Sequence, residues 1–170
     1  MNKTFESISP QIDKSVYISE NSTIIGNTSI DEFSNIWFNV VIRGDVNKIT
    51  IGKYTNIQDL TMLHVSDSHK LTVGDYVTVG HRAIIHGSTI GNNVLIGMGS
   101  IILDGSIIGD NTIVGAGSLV PQNKIYPSNS LIMGTPAKVV RELTIEEIQS
   151  IKNSAINYTN LSRKYMEENK

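Results

Sequence analysis

Aliphatic residues recur along this chain at every sixth position, and no other feature narrows its possible folds so far. Ile12, Ile18, Ile24, Ile30, Ile36 and Ile42 form one run. Ile51, Ile57 and Leu63 form a second, and Val73, Val79 and Ile85 a third. After one five-residue step the series continues through Ile90, Ile96, Ile102, Ile108, Val114 and Val120. Glycine often follows the series residue, as at Gly52, Gly74, Gly80, Gly91, Gly97, Gly109 and Gly115. A small or β-branched residue often sits four places on, as at Thr55, Thr61, Val77, Ala83, Thr89, Val94, Ser100, Ser106, Thr112 and Ser118.

A period of six matches neither an amphipathic helix nor a simple alternating strand. It matches an all-β solenoid in which each unit makes one short strand and one corner, and three units close a triangular coil. The series residues then stack down the inside, and glycine gives tight corners. A sandwich of short strands is the alternative, but sandwiches do not keep such a register over about a hundred residues. The composition suits the solenoid, because only 6% of the 170 residues are aromatic and 14 are glycine. The core must be built from Val, Ile and Leu.

A formal charge of -2 without long runs of one sign points away from nucleic acid and anionic membranes. With no cysteine, a metal would have to be held by His, Asp or Glu. The N-terminal MNKTFESISPQIDK lacks the apolar run of a signal peptide, and no stretch approaches a bilayer span. The expected location is cytoplasmic.

Residues 1–10 read as an N-terminal extension and 11–126 as the solenoid. Residues 127–143, PSNSLIMGTPAKVVREL, read as an extended crossover. Residues 144–168 read as a C-terminal α-helix packed on the solenoid, opened by a capping box from Thr144 to Glu147. Ile145, Ile148, Ile151, Ala155, Tyr158, Leu161 and Tyr165 are its expected inner face. Two longer steps, from Ile42 to Ile51 and from Leu63 to Val73, are expected to leave the wall as loops.

The register converts sequence spacing into geometry. His64 follows Leu63 and His86 follows Ile85, which lies one coil further on. Their backbones should stack about 4.8 Å apart, as adjacent strands do. His81 lies two residues beyond Val79, near another corner, and should point away from the other two. A cyclic trimer of parallel solenoids brings His81 of one chain to His64 and His86 of the next. Three imidazoles with an open position describe a catalytic zinc-type centre. Any one of these histidines alone is an ordinary polar wall residue. All three at matching coil positions favour the metal. His69, in the inserted SDSHK, fits no coil position and reads as a solvated loop residue.

At these residues the sequence resembles the gamma-class carbonic anhydrase-like family of hexapeptide-repeat proteins. The similar segments are VIRGDVNKITIG (41–52), TNIQDLTMLHV (55–65), VTVGHRAIIHG (77–87), GMGSIILDG (97–105), VGAGSLVPQNK (114–124) and MGTPAKVVREL (133–143). The first three are specific to that family, whereas the last three also fit hexapeptide acyltransferases. The resemblance implies a left-handed parallel β-helix, a homotrimer, and His64, His81 and His86 as ligands of one divalent metal per subunit. Zinc is the expected ion, with iron or cobalt as alternatives.

It further implies an interface ionic network of Arg43, Asp45 and Asp59, and Gln58 as the polar partner of the reacting solvent or bicarbonate. Tyr158 resembles a tyrosine that reaches the pocket, although a buried core tyrosine explains it nearly as well. The implied reaction is reversible hydration of CO2 to bicarbonate by hydroxide that the metal generates at neutral pH. Active relatives carry a glutamate directly after the R-x-D aspartate and an acidic loop with a shuttle glutamate. This chain has Val46 and the short SDSHK instead. Asp67 or His69 is then the candidate proton shuttle, His69 having the better intrinsic pKa. An acyltransferase or acyl-CoA-processing enzyme, and a non-catalytic metal-binding trimeric scaffold, are the alternative readings.

Overall fold

Parallel coils stack in the expected register. A computed structural model describes residues 1–168 as a β-solenoid of about seven coils followed by one helix, α1 (Ile145–Glu168). Along the first wall the paired positions run Ile24, Ile42, Leu63, Ile85, Ile102 and Val120. The second wall aligns Ile30, Ile51, Val73, Ile90, Ile108 and Tyr126. The third aligns Ile18, Ile36, Ile57, Val79, Ile96, Val114 and Ile132. All but Ile18 are buried, and each such aliphatic side chain contributes roughly 1.5–3 kcal/mol on leaving water.

The glycines after series residues have a different role from the one expected. They do not hold the turns. A Cβ on Gly97 would stand 2.4 Å from the Ala116 nitrogen and 2.7 Å from its Cα, so the next coil's backbone occupies that space. The left-handed turn residue lies three places after the series residue, at Asn39, Tyr54, Leu60, Tyr76, Arg82, Asn93, Gly99, Asn111, Gly117, Asn123 and Asn129. Asparagine tolerates this conformation and here adds a ladder. Asn93 Nδ2 donates to Asn111 Oδ1 at 2.8 Å, and Asn111 Nδ2 to Asn129 Oδ1 at 3.1 Å. In the five-residue step, Ser88 takes the small buried position and Thr89 is exposed.

The two long steps behave differently. Residues 43–50 do not leave as a loop, because strand Val41–Ile51 runs unbroken from the first wall to the second beside Thr23–Ile30. That detour brings Ile49 into the core. The step after Leu63 does protrude, closed by a bridge between Ser66 and His69 and tied to Asn47, whose Nδ2 donates to the Ser66 and Asp67 carbonyls at 3.1 Å.

Both ends differ from the expected boundaries. Asn2–Lys3 in the N-terminal extension adds a parallel strand beside Ile24 and Ile25. The solenoid runs past 126, since Ser130–Gly134 pairs with Ile113–Val114 before reversing into antiparallel Ala137–Glu142. The supposed crossover is therefore the last wall plus a hairpin, pinned by Tyr126 donating its hydroxyl to the Ala137 carbonyl at 2.8 Å.

α1 lies along one corner, where Phe33, Tyr54 and Tyr76 form a ladder with Tyr54 and Tyr76 stacked at 5.0 Å. Lys152 sits over Tyr76 and Arg163 over Phe33. The helix is rotated from the expected face. Ile151, Ala155, Thr159 and Ser162 are buried, whereas Ile145 and Leu161 are exposed. Thr159 turns inward because its hydroxyl reaches the Phe33 and Ala155 carbonyls at 3.2 Å. Among the described residues no helix is long and apolar enough to cross a membrane.

The capping box forms as expected, with Glu147 accepting from the Thr144 amide at 2.9 Å and Thr144 Oγ1 from the Glu147 amide at 3.3 Å. The Arg141 guanidinium, then the Thr144 amide, hold the Glu147 carboxyl down to about 2 from an ordinary 4.5. Its stabilising contribution is therefore present above pH 4.5 and lost as pH falls through about 2. Glu147→Gln should lower the thermal midpoint by a constant amount above that window, with the difference from wild type closing as pH falls through it. Gly97→Ala should destabilise the fold by roughly 1–3 kcal/mol through overpacking. Gly99→Asn, at φ 68° with nothing within 4 Å of a Cβ, should be nearly neutral in the same denaturant titration.

Candidate metal centre

The first wall places Arg43, His64 and His86 side by side, because Arg43 pairs with His64 and His64 with His86 in the backbone ladder. The two imidazoles approach with ring centroids 4.9 Å apart and His64 Nδ1 2.9 Å from His86 Nε2. Each outer nitrogen meets a carboxylate. His64 Nε2 lies 3.1 Å from Asp45 Oδ1, and His86 Nδ1 lies 2.5 Å from Asp104 Oδ1. Arg43 donates to the other Asp45 oxygen and extends an amino group to within 3.5 Å of His64 Nδ1.

A proton count shows what this row of groups can hold. If both outer nitrogens donate to their carboxylates, the two inner nitrogens present lone pairs to each other. Only a cation between them relieves that opposition, and it is either a shared proton or a metal ion. Ligating histidines characteristically give their second N–H to a carboxylate in this way. The donor set therefore fits a divalent, nitrogen-preferring ion. Burial pulls the His64 pKa down, against the raising effect of Asp45, so the ring keeps a lone pair available. Burial alone would raise Asp45, but Arg43 and His64 together hold it below the usual carboxylate range.

His81 occupies a separate corner. Its Nδ1 lies 2.8 Å from Asp59 Oδ2, and its side chain is 41% exposed. Asp59 and His81 each stand two places beyond a series residue, Ile57 and Val79, so they stack on consecutive coils. Within one chain Asp59 thus serves His81, on a different face from the Arg43–Asp45 pair. Gln58 is adjacent and 5% exposed, donating from Nε2 to Asn56 Oδ1 at 3.0 Å. Tyr158 reaches the same corner from α1, edge-on to Trp37 at 5.6 Å. Burial, then the Asp59 charge, push its hydroxyl pKa up.

One chain thus carries a two-histidine half-site and a one-histidine half-site on different faces. Among the described residues no three metal-ligating side chains of a single chain converge. Beside the two-histidine half-site runs an outward apolar column of Val41, Met62, Ile84, Ile101 and Leu119, with Ile84 40% and Ile101 36% exposed. His69 stands in the protruding loop with Nδ1 2.9 Å from Ser68 Oγ, and Val46 is exposed. The carboxylate missed from the sequence is Asp104. It lay in plain view within SIILDG, two places after Ile102, but the register puts it opposite Gly87 and only the side-chain direction carries it to His86.

This fold, with its six-residue register and stacked coils, is that of a hexapeptide-repeat protein. Residues 87–122 match the family described as bacterial transferase hexapeptide (six repeats). The chain is 56% identical to the "Probable carbonic anhydrase" of Methanocaldococcus jannaschii, over 89% of this chain and 95% of that one. It is 44% identical to Gamma carbonic anhydrase 2, mitochondrial, of Arabidopsis thaliana over 95% of its own length, and spans 60% of that relative. A solved hexapeptide transferase family protein from Anaplasma phagocytophilum superposes with a TM-score of 0.93 at 41% identity, covering 96% of this chain and 97% of that one. The chain belongs to the gamma carbonic anhydrase-like family of hexapeptide-repeat proteins, whose fold is a left-handed parallel β-helix.

If Asp104 orients His86 for a metal, Asp104→Asn should weaken metal affinity by about 10–100-fold, measured by competition with a chromogenic chelator. Loss of thermal stability without change in metal affinity would assign Asp104 to folding alone.

Proposed function

We propose that this protein is a metal-dependent carbonic anhydrase that works as a homotrimer. The observation that carries the reading is the pairing of every one of the three histidines with its own carboxylate, in half-sites that a single chain cannot join. His64 and His86 would hold one divalent ion through their inner nitrogens, with Nε2 of the partner subunit's His81 completing the set. The exposed apolar column beside His64 and His86 supports burial of that wall against another copy. When bound, the ion would polarise water so that hydroxide is available at neutral pH. Zinc, iron and cobalt all suit three imidazoles.

The chain's own groups supply the rest. Asp45 and Asp104 fix the tautomers of His64 and His86, and Asp59 does the same for His81. The Gln58 amide, held against Asn56 beside His81, orients a bicarbonate oxygen, and the Tyr158 hydroxyl closes that side of the site. Arg43 holds Asp45 in place and keeps the negative charge compensated. The proton released in each turnover passes to solvent through the protruding loop, where His69 and Asp67 are the titratable groups. Exposed Val46 offers no alternative carrier, so proton export limits the rate and added imidazole buffer should accelerate turnover.

Complementation tests the shared site. His64→Ala and His81→Ala should each abolish metal binding and CO2 hydration alone. Mixed after co-expression, the two chains should recover roughly a quarter of the sites, because each mixed trimer rebuilds one interface. A site contained in one chain would recover none. Metal content without hydration under zinc, cobalt or anaerobic iron would remove the enzymatic part.

The exposed His81–Asp59 dyad favours one other reading. A histidine so oriented is a general base for acyl transfer, and the Anaplasma phagocytophilum relative carries a transferase name. Acyl-CoA turnover that survives chelation and His64→Ala would establish it.

A further inference from the structure

A polar hollow, of about 240 Å3, lies between the loop after His64 and the corners at Gly87 and Gly105. Its polar lining comes from Ser68, His69, Lys70, Ser88, Thr89 and Ser106, and none of the lining residues is acidic. Among the described residues Lys70 has no ion-pair partner. Ser88 is 2% exposed, yet its hydroxyl has no hydrogen-bond partner. The cause is local. Ser106 satisfies its hydroxyl on the Leu103 carbonyl at 2.7 Å, but the five-residue step from Ile85 to Ile90 removes the equivalent acceptor from Ser88. An unsatisfied buried hydroxyl costs about 1–3 kcal/mol unless something completes it.

His69 is also committed to this hollow. Ser68 Oγ lies 2.9 Å from its Nδ1, and with Nδ1 as the acceptor of that bond the ring carries its hydrogen on Nε2. The ring rests directly on two glycines. A Cβ on Gly105 would lie 3.0 Å from Nε2, and one on Gly87 would lie 2.8 Å from the His69 Cβ. Both glycines have positive φ, 47° and 69°, so the turn and the seating of His69 require the same residue type. The hollow is therefore lined by an unpaired ammonium, an imidazole and two uncommitted hydroxyls, and the carboxylate at its Gly87 edge, Asp104, is taken up by His86.

We propose that this hollow binds a small oxyanion of the bicarbonate or phosphate class, held by Lys70 Nζ, His69 Nε2–H and the hydroxyls of Ser88 and Thr89. Ionic donors on an oxyanion form the stronger class of hydrogen bond, and the anion would complete Ser88. The volume suits a single anion and is too small for a cofactor arm. The site is separate from the metal half-site, although both use the Gly87 corner, and it does not depend on the carbonic anhydrase reading.

Thermal midpoints of the purified protein, at fixed ionic strength, should rise saturably with sodium phosphate or sodium bicarbonate and not with sodium chloride. The tighter of the two identifies the source, free phosphate or hydration product. Lys70→Ala and Ser88→Ala should each weaken the response by roughly tenfold. Both should keep wild-type metal content, and without anion Lys70→Ala should keep wild-type stability while Ser88→Ala, relieved of its unsatisfied hydroxyl, should be more stable than wild type. An equal response in Lys70→Ala, or one reproduced by chloride, would overturn the proposal. A response lost with His64→Ala and kept in Lys70→Ala would place the anion at the metal and overturn it equally.

Discussion

Everything in this molecule depends on coils that cannot slip against one another. Each aliphatic series residue sits directly above its counterpart, and the backbone ladders between them lock that alignment on all three walls. A slip of one residue in any wall would turn its buried Ile and Val outward. The cost of breaking several fully buried contacts together is far larger than any gain at the surface. Polar residues beside the series inherit the same positional accuracy. That is how His64 and His86, 22 positions apart in the chain, come to stand 2.9 Å from each other.

The period of the sequence was enough to read the coil, its three walls and the stacking of His64 on His86, because inward aliphatic residues leave a regular trace. It was also enough to separate His81 from the other two. The unread parts share a cause, which is that backbone register says nothing of side-chain reach. Asp104 is opposite Gly87 in the ladder and still bonds His86. The helix face was misread because Thr159 and Ser162 are buried by hydrogen bonding to carbonyls, which a hydrophobic pattern does not register. The segment from 43 to 50 looked like an insertion and is a strand, since Thr23–Ile30 was available to pair with it on either side of a register shift between Gly26 and Thr28.

The row Asp45–His64–His86–Asp104 sets two acidic residues against two imidazoles, which bears on the metal proposed for it. Two neutral imidazoles and two carboxylates carry a net charge of -2, which a divalent ion neutralises. A lone shared proton leaves half of that uncompensated, and Arg43 supplies part of the remainder at the Asp45 end. A metal taken up by such a row would have to displace any proton held between the two rings, which would link affinity to pH.

The ends of the solenoid carry their own consequence. A stack of identical parallel coils exposes unpaired backbone at each end and is in principle an endless template. Here the last wall reverses into Ala137–Glu142, whose outward row mixes Lys138, Arg141 and Glu142 with half-exposed Val139 and Val140. At the other end Asn2–Lys3 covers only part of the first coil. The hairpin that closes the fold thus also sets its length, and with it the number of coils on which a histidine pair can be displayed.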